Sequence, residues 1–102
     1  MSHVLTCLLM GRVECIALPG LEMWFNSSDH EPPHFHAERP GEWEVRVFFL
    51  RGRADMFETK WSARKGKPTP AQLGRLGRIA ERNRLDLLVE WERKVRTSGS
   101  GR

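Results

Sequence analysis

The run His30-Glu31-Pro32-Pro33-His34-Phe35-His36, followed by Ala37-Glu38, gathers three imidazoles and two carboxylates into nine residues. Imidazole titrates near neutral pH and, when neutral, ligates transition metals. Two adjacent prolines fix φ and remove two backbone donors, which excludes a helix and favours an extended chain. In a strand resuming at His34, the side chains of His34, His36 and Glu38 share one face, and Phe35 and Ala37 take the other. His30 joins the first group only if the diproline turns the chain back. The H-E-x-x-H helix of a zinc protease is ruled out by Pro32 and Pro33.

Four roles are open to this segment. His30, His34 and His36 with Glu38 form a donor set for a divalent transition metal such as zinc, manganese or iron, with Glu31 as the other available oxygen. A bound ion lowers the pKa of its water and directs that water at a phosphodiester or amide. Without metal, His34 and His36 serve as general base and acid in RNA cleavage, and a nearby cation stabilises the phosphorane. The third role is a rigid turn whose histidines bond locally or with Asp29, Glu31 and Glu38. The fourth is a non-catalytic recognition loop for nucleic acid or protein.

The charge distribution bears on the partner. The chain carries a formal net charge of +4. Through Val45 there are two Lys/Arg against seven Asp/Glu, and from Arg46 onward fifteen against six. Such asymmetry predicts an electropositive surface facing RNA, DNA or an acidic protein. Its candidate residues are Arg46, Arg53, Arg64, Lys65, Lys67, Arg75 and Arg78. A solvated basic surface without a partner is the alternative. The tryptophans, Trp24, Trp43, Trp61 and Trp91, fall one per element and argue mainly for packing.

Positioning these groups requires a frame, and 102 residues allow one domain. Residues 4–10 and 13–18 read as two short strands with a turn at Gly11-Arg12. Pro19-Gly20 is a turn, and Met23-Trp24-Phe25 a third strand that ends in the polar turn formers Asn26-Ser27-Ser28-Asp29. After Pro40-Gly41, the residues Trp43, Val45, Val47 and Phe49 alternate with Glu44, Arg46 and Phe48, as in a half-buried strand. A loop at Arg51-Gly52-Arg53 leads into a weaker strand within 54–61, then a basic connection over 64–68.

The last third changes period. Thr69, Pro70 and Gln72 form the capping box of a helix carrying Leu73, Leu76, Ile79 and Ala80 on one side. Gly74 and Gly77 weaken that helix and permit close packing. Asn83 with Asp86 three residues on predicts a new cap, a continuous helix being the alternative. Leu88, Trp91 and Val95 form the next apolar stripe, widened by Leu85 and Leu87. The expected fold is α+β: a small antiparallel sheet with two C-terminal helices on one face, a single domain over 1–96, and a flexible tail over 97–102. Cys7 and Cys15 have no ligand spacing and predict reduced thiols. No run of about 18 apolar residues is present, so a cytoplasmic protein with no membrane contact is expected.

The pattern Ser28-Asp29-His30-Glu31-Pro32-Pro33-His34-Phe35-His36, an aromatic-rich strand, and the helical end Ile79-Ala80-Glu81-Arg82-Asn83-Arg84-Leu85-Asp86-Leu87-Leu88-Val89-Glu90-Trp91 resemble a widespread prokaryotic family of small uncharacterised proteins. The resemblance covers residues 21–95. It marks His30, His34 and His36 as family residues without assigning them a role. Members are sometimes associated with toxin–antitoxin modules, and the resemblance thereby implies a small cognate protein partner; a homodimer through an exposed sheet edge is the other assembly expected.

Overall fold

The computed structural model of the chain describes residues 10–26, 28–60 and 65–96. Five strands form one antiparallel meander: β1 (Met10–Arg12), β2 (Glu22–Asn26), β3 (Phe35–Arg39), β4 (Trp43–Val47) and β5 (Phe57–Thr59), each paired with the next. A single 3-10 turn, Arg53–Asp55, precedes β5. Two helices follow, α1 (Pro70–Arg82) and α2 (Arg84–Trp91), the second continued by a wider π turn over Glu92–Arg96. This is the expected α+β arrangement. Among the described residues, no helix is long and apolar enough to cross a membrane.

Alternation along the strands makes two unlike faces. Phe25, Phe35, Ala37, Val45 and Val47 are fully buried and join Leu76, Ala80, Leu87, Trp91 and Val95 in one apolar cluster under the helices. The opposite face carries a cross-strand row: Arg12 pairs with Trp24, Trp24 with His36, His36 with Arg46, and Arg46 with Glu58.

Local chemistry explains the turns and caps. Pro40-Gly41 closes the β3–β4 hairpin, with Gly41 at φ 78° and the Glu42 amide donating to the Arg39 carbonyl at 2.8 Å. Only glycine takes that left-handed position without steric cost. The Thr69 hydroxyl accepts from the Gln72 amide while the Gln72 side chain accepts from the Thr69 amide, a complete capping box. Gln72 also accepts from the Trp43 indole at 3.1 Å, tying the helix start to the start of β4. Of the two helical glycines, Gly77 serves close packing: a Cβ there would lie 2.6 Å from Arg53 Nε, whereas at Gly74 the nearest atom is 3.5 Å away.

Three expectations are corrected. Gly11-Arg12 lies within β1 rather than in a turn, and the 13–18 segment is not a strand. That segment is held instead by the buried Glu90 carboxylate, which accepts from the amides of Glu14 (2.7 Å) and Cys15 (3.1 Å). Asn83 does separate the helices, but its side chain does not cap α2; it donates back to the Ile79 carbonyl at 2.8 Å. Finally, Leu85 is 77% exposed and widens no apolar stripe, because the buried line on α2 runs through Leu87 and Trp91. Residues 4–9 of the expected 4–10 strand, Cys7 among them, and Trp61, Arg64 and the tail 97–102 lie outside the described residues, while Met10 begins β1. Cys15 is a free thiol; burial, with the Glu90 carboxylate against it, pushes its pKa up to about 12.

Candidate metal centre

His34 and His36 are buried on the sheet face opposite the helices, and the loop from β2 to β3 folds over them. The fold-back begins where β2 ends. The Asp29 amide donates to the Asn26 carbonyl at 2.9 Å, and the Asn26 amide donates to Asp29 Oδ2 at 3.1 Å. Ser28 donates to the Asn26 side-chain oxygen from both its amide and its hydroxyl. The chain then bends at Glu31 and Pro32, whose peptide bond is cis, and returns as β3. Asp29 is thereby laid above the two histidines.

The resulting contacts are short. His36 Nε2 lies 2.9 Å from Asp29 Oδ2 and 3.2 Å from Oδ1, and His34 Nε2 lies 3.5 Å from the same Oδ2. His34 Nδ1 is 2.9 Å from the Pro32 carbonyl. A carbonyl only accepts, so that nitrogen carries a proton and Nε2 is the atom left to face Asp29. On a neutral ring Nε2 presents a lone pair, which repels a carboxylate. The arrangement is therefore satisfied by a cation between them, either a proton or a metal ion.

Orientation is fixed from several sides. Trp24 stacks on His36 with ring centroids 5.4 Å apart and planes 14° from parallel. Phe48 packs against His34 at 4.9 Å, and the two imidazoles meet edge to face at 5.2 Å. Burial acts to raise the Asp29 pKa, but the hydrogen bonds from His34 and His36 outweigh it and hold the carboxyl well below the usual range. Burial likewise acts to lower the His34 pKa, yet its bonds to Asp29 and Pro32 win and raise it.

The ligand atoms of Asp29, His34 and His36 all lie within 4.8 Å of one another. Two atoms bound tetrahedrally at roughly 2.0–2.1 Å from zinc stand about 3.3 Å apart. The two separations to Asp29 Oδ2, 2.9 and 3.5 Å, straddle that value. The Pro32 carbonyl on His34 and the Asn26 amide on Asp29 supply the outer hydrogen bonds that orient metal ligands.

The other candidates from the sequence are distributed around this centre. His30 is exposed and lines the cavity beside it without joining the ligand group. Glu38 follows His36 on the same face but accepts from Lys65 Nζ at 2.8 Å. Lys65 also reaches Glu44 at 3.3 Å, and these two bonds raise its pKa. Arg46 pairs with Glu58 at 2.7 Å, and Arg53 with Glu81 at 3.0 Å. Lys67, Arg75 and Arg78 are exposed, and Arg64 is outside the described residues. Asp29 was not among the metal candidates read from the sequence, although the polar turn formers at the end of β2 are the signal for a reversal that brings it back.

The cavity beside the centre has a volume of about 300 Å³, with Asp29, His34, Arg46 and Arg51 on its walls. A larger hollow of about 450 Å³ runs along residues 12–23, but its lining brings no comparable set of ligands together. We regard the smaller one as the site, because chemistry rather than volume distinguishes it.

The molecule is thus a small α+β domain with an Asp–His–His cluster, its histidines buried and its aspartate partly so, at one loop-covered sheet face. The family of domains of unknown function designated DUF4160 matches residues 21–92, and the chain belongs to it. No curated protein matches the chain, and no solved structure does.

Proposed function

We propose that this protein is a small metal-dependent hydrolase whose ion is held by Asp29, His34 and His36. The observation that carries the reading is the convergence of three ligand atoms, from His36 in β3, His34 just before it and Asp29 in the folded-back loop. Two histidines and a carboxylate leave coordination positions open, as catalytic sites require and closed structural sites do not. An ion held by these residues would supply Lewis acidity and would make water a stronger nucleophile at neutral pH. The chain's own residues do the rest. Asp29 would supply the anionic ligand, the Pro32 carbonyl and the Trp24 ring hold the imidazoles in place, and His30 lines the cavity that a substrate would enter. In the net reaction one water adds across the scissile bond, its oxygen going to the electrophilic centre and its proton to the leaving group.

Zinc and manganese titration of the full chain by calorimetry tests this reading. One equivalent is expected to bind the wild type, and Asp29→Ala or His36→Ala is expected to abolish uptake while circular dichroism shows a folded domain. If neither ion binds the wild type, the reading is wrong. The RNase form of the proposal, and with it the toxin–antitoxin role implied by the family resemblance, is read separately. Metal-loaded protein should cleave RNA, and induction should arrest growth in the wild type but not in His36→Ala. Salt-sensitive RNA binding that ignores all three ligand substitutions, with no metal uptake, would favour a non-catalytic binding module instead.

A further inference from the structure

We propose that the cavity beside Asp29, His34 and His36 is a phosphoryl-binding site, with Arg51 as its anion ligand. This inference deepens the hydrolase reading and rests on it, since it names the substrate class of the same site.

Arg51 is a cation held in place without a carboxylate. Its guanidinium lies 4.1 Å over the centre of the Phe48 ring. Phe48 is buried and leans its ring on His34, so one aromatic side chain couples the cation to the ligand cluster. The backbone is pinned as well: the Arg51 amide donates to the Phe48 carbonyl at 2.9 Å, and its carbonyl accepts from Arg84 Nη2 at 2.8 Å. Among the described residues Arg51 makes no ion pair, whereas the other arginine of this wall, Arg46, is neutralised by Glu58. An aromatic face holds a guanidinium while leaving its N–H edge free to donate.

The positions of the charges select the ligand. Arg51 lines a space of about 300 Å³ together with Asp29 and His34 of the ligand group; Glu31 and the Arg46–Glu58 pair line it too, which leaves Arg51 as the arginine there without a carboxylate partner among the described residues. A phosphoryl group is tetrahedral and its non-bridging oxygens diverge, so a monoester can give one pair to the guanidinium fork and a third oxygen to the cluster, and a diester one oxygen to each. A carboxylate offers only two oxygens in one plane, and the fork consumes both. The volume admits a phosphoryl group with about one sugar attached, which fits either a small phosphorylated molecule or one residue of a nucleic-acid backbone.

The test is calorimetric titration of the zinc-loaded full chain with inorganic phosphate, a nucleoside monophosphate, a short single-stranded RNA, and acetate. Phosphate and the monophosphate should bind and acetate should not. Arg51→Gln should weaken phosphate binding about ten- to a hundredfold, with zinc titration unchanged, and Arg51→Lys should recover part of the loss. Tighter binding of the RNA than of the monophosphate assigns the phosphoryl group to a nucleic acid, and equal binding assigns it to a small molecule; either supports the site. Equal phosphate affinity in Arg51→Gln and wild type, or acetate binding as well as phosphate, overturns the inference while zinc uptake leaves the metal centre standing. Absent zinc uptake overturns the metal centre, and the same phosphate titrations on the zinc-free chain then decide Arg51 alone.

Discussion

The two faces of the sheet are built on opposite terms, although both are drawn from the same strand. Phe35 and Ala37 look into the apolar cluster, where any side chain of the right volume is satisfied by contact. His34 and His36 look the other way and are buried too, at 6% exposure each, but their polar atoms depend on particular partners, the Pro32 carbonyl and the Asp29 carboxylate. The helix-covered face is held by area and shape. The loop-covered face is held by a few directed bonds, and it is the face on which the proposed site lies.

The largest effect should come from the apolar face. Phe35→Ala removes a fully buried ring that packs edge-on to Phe25 and stacks with Phe49. Chemical denaturation should show a loss of about 3–5 kcal/mol. On the polar face, Asp29→Ala strips the partner from both imidazoles and from the Asn26 amide. Stability should fall by about 1–3 kcal/mol. Zinc affinity in the folded fraction should fall by more than the roughly 10- to 100-fold that loss of an outer partner costs. A variant that keeps full zinc affinity would break the contrast between the faces.

Glu90 sharpens the comparison, because it is a buried carboxylate on the apolar side. Burial acts to raise its pKa, but bonds from Lys94 and from the Glu14 and Cys15 amides outweigh this and lower it. The unfolded chain therefore binds the proton first as pH falls, so stability rises with pH across this range. The contribution of Glu90 is present above the ordinary glutamate value of about 4.3 and is lost as pH falls through the lower folded value. Urea unfolding between about pH 3 and 6 should show this slope in the wild type and a smaller one in Glu90→Gln. The smallest effect is expected at the rim. Glu58→Gln breaks an ion pair whose side chains are 44% and 56% exposed, and its unfolding midpoint should correspond to a change of about 0.5 kcal/mol or less.

Periodic features could be read without the fold. The alternation around Trp43, Val45 and Val47, the capping box at Thr69 and the left-handed turn at Gly41 each depend on neighbours within a few residues. Features that depend on distant partners were read less well. The apolar run at 13–18 has the composition of a strand, yet its Glu14 and Cys15 amides go to Glu90, some 75 residues away. Leu85 belongs to an apolar-rich stretch, but the rotation of α2 is set by Leu87 and Trp91 against the sheet, which turns Leu85 to solvent.

The histidine segment divides along the same line. Sequence alone put His34 and His36 on one side of a strand, because side-chain alternation is a property of extended backbone. It also excluded a helix there, because proline lacks the amide a helix needs. Which acid meets those imidazoles was decided only by the path of the loop. Folding back from Asn26, that loop delivers Asp29 rather than His30, while Lys65 engages Glu38 and Phe48 sets Arg51 over the neighbouring wall. The Lys65–Glu38 bond joins residues 27 apart, and only the finished fold brings them together. The Asp29–His36 and Phe48–Arg51 contacts are closer along the chain, but the course of the turn between the partners decides them, and neither alternation nor helical period specifies that course.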